Sequence, residues 1–147
     1  MSEWSREEVS SHFDRWRAAV DRRDLDEMHS MLAEDARGGN CKSGIFHGRD
    51  AVIQFARENW PEIIPNRSIW HVIDGARVVN KWFETLPGDP PIGRDYSYEG
   101  ISEFIYAGSG KWSFMYGIPD FIGINRAISQ WSEDGHAETY GQLFGND

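Results

Sequence analysis

Apolar residues near the start of the chain fall at Val9, Phe13, Trp16 and Val20, and spacings of four, three and four draw one stripe down a helix. Asp21 lies just past that stripe, where a carboxylate is either a solvated helix end or a group aimed into a pocket. Asp24 then reads as an N-cap with Glu27 at its third position, a capping-box-like pair. Leu25, Met28 and Leu32 share one face beyond it, which predicts a second helix over residues 25–34. Residues 37–48 hold Gly38, Gly39, Asn40, Gly44 and Gly48 around Ile45 and Phe46, so this stretch reads as loop with at most one short strand. A third helix is expected over residues 49–59, with Val52, Phe55 and Ala56 inward and with Pro61 and Pro65 stopping it.

From Asn66 the period changes toward two, and β-branched and aromatic residues dominate RSIWHVID, ARVVNKWFETL, YSYEGISEFIYA and KWSFMYGI. These are four strands. Asp74-Gly75 and Gly108-Ser109-Gly110 are hairpin turn signals, whereas the Pro- and Gly-rich stretch 87–93 is a longer, exposed connection. Asp120, after Pro119, can cap a last helix in which Phe121, Ile124, Ile128 and Trp131 form a stripe that Gly135 ends. The tail from His136 is polar apart from Tyr140, Leu143 and Phe144. Helices followed by antiparallel strands make an α+β layout. The expected form is a cone-shaped α+β barrel, three N-terminal helices packed in a strongly curved, mostly antiparallel sheet, with a C-terminal helix added.

Composition narrows the function. At 147 residues the chain is long enough for one domain with a real core and too short for two. The net charge of −9, with Lys and Arg scattered among acids along the sequence, makes nucleic acid a poor partner. No apolar run approaches the roughly 20 residues of a membrane span, and MSEWSREEVSSHF lacks the apolar stretch of a signal peptide. A cytoplasmic protein is the expectation, and the single Cys41, which can form no internal disulfide, is read as structural. Aromatic residues make up 14 %, with seven Trp, enough to line an apolar pocket as well as fill a core. No metal-ligand spacing, phosphate loop or nucleophile elbow is present, so no metal or cofactor is expected.

The segments AAVDRRDLDEMHSMLAEDA, FHGRDAVIQF, WHVIDGARVVNKWFETLPG and YAGSGKWSF, in this order and spacing, resemble the nuclear-transport-factor-2-like superfamily and, within it, the SnoaL-like proteins. The resemblance covers nearly the whole chain. It implies the barrel described above, a homodimer packed through the outer sheet face, and one of many activities that this fold hosts. Scytalone dehydratase and the hexachlorocyclohexane dehydrochlorinases look like relatives, and their Asp–His dyad would match Asp21 in AVDRRD and His71 in SIWHVID. The resemblance thus implies His71 as general base, with Asp21 fixing its tautomer and stabilising the imidazolium. No second His joins them, because His12, His29, His47 and His136 fall on helices, loop or tail. The limonene epoxide hydrolases are similar in fold, but Val79-Asn80-Lys81-Trp82 lacks their Arg-x-Asp pattern and Tyr116-Gly117-Ile118 lacks their second acid.

The residues themselves suggest the rest of the site. His71 alone, between Ile69 and Ile73 on one strand face, is also what a satisfied core histidine looks like. Asn80, Trp82 and Glu84 share the strand face expected to line the cavity, because the other face would put Lys81 there. Tyr98, Gly100, Ser102 and Phe104 form the matching inward set. Asn40, Asn80 or Tyr116 would hold a polar substituent of a small, largely apolar substrate, and Trp16, Phe55, Trp82 and Phe104 would form the walls. The function expected is a cofactor-independent lyase, dehydratase or isomerase. A non-catalytic ligand-binding or assembly domain and an epoxide hydrolase are the alternatives. Val79, Phe83, Ile101 and Ile105 would supply the dimer patch.

Overall fold

Ser5 starts α1 (Arg6–Arg22) by accepting a hydrogen bond from the Glu8 amide, and Arg23 ends it in the left-handed region, its N–H reaching the carbonyls of Ala19 and Val20. In the computed structural model, which describes residues 3–60 and 64–139, this helix buries Val9, Phe13 and Trp16 of the stripe together with Ala19, while Val20 is half-buried. Asp24 caps α2 (Leu25–Ser30) through the Glu27 amide. That helix is shorter than its sequence pattern, and Leu32 opens a strand instead.

Strands β1 (Leu32–Asn40) and β2 (Gly44–His47) occupy the stretch expected to be helix end and loop. Helix propensity differs by only tenths of a kcal/mol between ordinary residues, so ladders to β2 and to a distant strand outweigh it. Two of the glycines that suggested a loop, Gly38 and Gly39, are close-approach sites. A Cβ on Gly39 would lie 2.0 Å from the Gly44 carbonyl oxygen across the hairpin, and one on Gly38 would lie 2.8 Å from the Met115 carbonyl oxygen. Helix α3 (Arg49–Asn59) matches its expected bounds. The stop assigned to Pro61 and the tail from residue 140 lie outside the described residues.

Strands β3 (Asn66–Asp74), β4 (Arg77–Thr85), β5 (Ser97–Tyr106) and β6 (Trp112–Pro119) fall where period two places them. The sheet is mixed, with order β2-β1-β6-β5-β4-β3; β1 and β6 run parallel and every other pair is antiparallel. The last helix, α4 (Phe121–Trp131), is capped by Asp120, which accepts from the Gly123 amide at 2.9 Å. One core cluster joins α1 to β5 and β6 through Phe13, Trp16, Phe104, Trp112 and Met115. A second sets Ala127 and Trp131 of α4 against Trp82, Tyr96 and Tyr98. The curved sheet and the helices leave a space between these clusters, and that space holds the candidate site. No helix among the described residues is long and apolar enough to cross a membrane.

Candidate active site

Register across β3, β4 and β5 sets inward side chains in transverse rows, since directly opposed residues share a face. Asn66, Glu84 and Tyr98 form one row, Asn80 and Ser102 another, and Val78 and Phe104 a third. Between the first two, Trp82 lies across Gly100, where a Cβ would come within 2.3 Å of the indole. The ring keeps that position by donating Nε1–H to Ser102 Oγ at 2.9 Å. Ser68 Oγ donates to Oδ1 of the buried Asn80 at 2.5 Å. The first two rows and Phe104 face a cavity of about 820 Å³ that α1, α3 and α4 border on its other sides.

A continuous polar chain borders this space. Asp21 Oδ1 stands 3.6 Å from Arg17 Nη2, and Arg17 donates from Nη1 to Asn66 Oδ1 and from Nη2 to the Asn66 carbonyl, each at 2.8 Å. Asn66 Nδ2 passes the chain on to Glu84 Oε1 at 2.9 Å, and the Tyr98 hydroxyl hydrogen-bonds the same carboxylate. Burial, the largest influence, raises the proton affinity of Glu84, while the Asn66 and Tyr98 hydrogen bonds and the nearby Arg17 charge pull against it. Burial first and the Glu84 charge second push the Tyr98 phenol far above its ordinary value, so it stays a donor. A carboxylate with raised proton affinity beside an open cavity is equipped to take and return a proton.

Trp16, Asn40, Phe55, Asn80, Trp82, Phe104 and Tyr116 all border this cavity. Trp16 and Phe104 meet edge to face at 5.8 Å, and Phe55 stacks on Phe46 at 5.2 Å. Asn40 is engaged in its own turn, its Oδ1 accepting from the amides of Lys42 and Ser43. Tyr116 stands opposite the outward Glu103 and stacks on Phe114 at 6.0 Å, so of the two tyrosines that border the cavity it is Tyr98 that meets a carboxylate. Cys41 is exposed in the β1–β2 turn.

The expected Asp21–His71 dyad is not formed. His71 is exposed on the edge strand β3, packs on the Phe13 ring at 4.7 Å, and borders a separate groove of about 370 Å³. Asp21, its side chain 64 % exposed, borders both spaces, but its charge partner is Arg17, and no hydrogen bond among the described residues joins it to His71. The cause is topological: α1 crosses β3 so that Phe13 lies beneath the imidazole, and an edge strand offers no neighbour on the far side. The carboxylate inside the cavity is Glu84, to which the sequence pattern assigned a face but no role. Its signal was there, since an acid alternating with Trp82 and Asn80 on an inward face is too costly to be packing alone. Among the described residues no group of three His, Cys, Asp or Glu side chains is arranged to hold a metal ion.

The profile of a family described as SnoaL-like domain matches residues 13–115. Among solved structures, a Kribbella flavida DSM 17836 protein provisionally assigned as a ketosteroid isomerase is 19 % identical, with TM-score 0.64 over 77 % of this chain and 78 % of that one. An LEH-like epoxide hydrolase from M. tuberculosis is 16 % identical, with TM-score 0.66 over 88 % and 98 %. TerC, solved with polyporic acid, is 15 % identical, with TM-score 0.66 over 82 % and 98 %. At these identities the likeness is one of fold. No functionally curated protein matches the chain significantly.

Proposed function

The chain belongs to the SnoaL-like domain family, and from that premise we propose that it is a cofactor-independent enzyme of the isomerase or lyase type, with Glu84 as its general base. The observation that carries this reading is the Glu84 carboxylate, raised in proton affinity by burial and held by Asn66 and Tyr98 at the wall of an 820 Å³ cavity. That TerC was solved with polyporic acid supports a small organic ligand in this fold. In the proposed reaction Glu84 removes a proton from a carbon next to a carbonyl, and the electron pair of the broken C–H bond moves onto the carbonyl oxygen. Ser102, whose Oγ already accepts from Trp82, can turn its own hydrogen toward that oxygen. Glu84 then returns the proton to a second carbon, which isomerises the substrate, or gives it to a departing oxygen, which completes an elimination.

The test has two readings. The Glu84 carboxyl, followed by carbon-13 NMR, should titrate above the ordinary Glu value of about 4.3. In deuterium oxide the protein should exchange the acidic C–H of one or more members of a panel of aryl and cyclic ketones, and Glu84→Gln should slow that exchange about a hundredfold or more with the fold intact. Exchange unchanged in Glu84→Gln would overturn the assignment of Glu84, and no exchange by the wild type would leave ligand binding without chemistry as the reading.

The quaternary part of the proposal is a homodimer through the outer sheet face. Trp70, Val72, Ile101 and Ile118 are 36–54 % exposed there, and Val79, Phe83 and Ile105 lie half-buried around them. A patch of this kind on one side of a sheet calls for a partner.

A further inference from the structure

The charged residues around the cavity do not share the sign of the molecule. The chain carries −9 overall, yet Arg17, Arg23, Lys42 and Arg67 border the cavity against only Asp21 and Glu84 among the described residues. These cations are scattered in sequence, and the fold gathers them from α1, its left-handed C-cap, the β1–β2 turn and the start of β3. Arg17 is already engaged with Asn66 and Asp21. No carboxylate among the described residues pairs with Arg23, Lys42 or Arg67, and Lys42 instead lies over the Phe121 ring at 5.4 Å. Arg67, on the edge strand opposite Phe83, is exposed and Arg23 half-buried, and both border the cavity together with Arg17 and Asn66.

Uncompensated cations at the rim of an apolar space reverse the local field of an acidic protein and draw anions into it. Guanidinium groups match a carboxylate in shape as well as charge. We propose that the cavity takes a small amphiphilic organic acid, its apolar body against Trp16, Phe55 and Phe104 and its carboxylate at Arg23 and Arg67. The inference rests on the reading of the cavity as a substrate site and adds the substrate class. The anionic handle is held at the rim, and the carbon to be deprotonated lies inside, beside Glu84.

Calorimetric titration with 2-naphthoate and its neutral isostere 2-naphthamide tests this without turnover. At about 20 mM salt the carboxylate should bind about tenfold more tightly than the amide, and the gap should close at about 0.5 M salt. The double substitution Arg23→Gln with Arg67→Gln should remove the gap while leaving amide affinity unchanged, which also reports that the variant is folded. An amide that binds as tightly as the carboxylate, a gap indifferent to the two arginines, or a cavity that holds neither compound would overturn the proposal. If the double variant does not fold, the wild-type salt dependence decides. Because Glu84 is not varied, a failure here is distinct from a failure of the exchange assay.

Discussion

His12 is the residue on which acid stability turns. It is 5 % exposed against Tyr106 and Trp112, its Nε2 has no hydrogen-bond partner, and its pKa is lowered to about 4 from 6.5, first by burial and then by the Arg15 charge. Between those values the unfolded chain binds a proton that the folded chain refuses, so stability is complete above about pH 6.5 and falls as pH drops toward 4. The shift corresponds to about 3 kcal/mol. Between pH 7 and 4.5 the thermal midpoint of wild type should fall further than that of His12→Phe. Parallel curves would show that His12 does not titrate this way. The same physics separates the legible part of the site from the hidden part. Trp16, Phe55, Asn80, Trp82 and Phe104 reach the cavity because periodicity fixes a face. Which acid is withdrawn from water depends on the tertiary crossing of α1 over β3, and no local pattern around Asp21 or His71 carries that information.

At the scale of elements, the pairing of Trp82 with Gly100 fixes how β4 and β5 present their rows. Gly100→Ala would bring a methyl group within 2.3 Å of the indole, and the ring could yield only by losing its hydrogen bond to Ser102. Overpacking of this kind costs about 1–3 kcal/mol, so the denaturation midpoint should fall and the tryptophan emission should change. An unchanged midpoint would mean that the indole has room to move. Helices α1, α3 and α4 and strands β4 to β6 were legible because each buries one face with a clear period, whereas β3, exposed along most of its length, was legible from its β-branched and aromatic residues. β1 was not, because Gly38 and Gly39 are there for backbone proximity and have no side-chain pattern to read, while β2 is the one short strand allowed around Ile45 and Phe46. The parallel partner of β1 lies more than seventy residues away in sequence, beyond any window of periodicity.

For the whole molecule, the proposed dimer rests on the outer sheet face. Sedimentation at micromolar concentration should show a dimer, and Val72→Asp, which puts a charge amid Trp70, Ile101 and Ile118, should give a monomer that keeps its fold. A wild-type monomer would remove that face from consideration. One feature of the topology also bears on how the molecule comes into being. Strands β3 to β6 close through neighbours in sequence, whereas β1 reaches β6 across most of the chain, and contacts of short separation form first. The row of Asn66, Glu84 and Tyr98 therefore belongs to the early part of assembly, and Arg17 reaches it only when α1 docks. Until then Glu84 stands in water as an ordinary acid. Its unusual proton affinity is a property of the finished molecule, and an incomplete chain does not possess it.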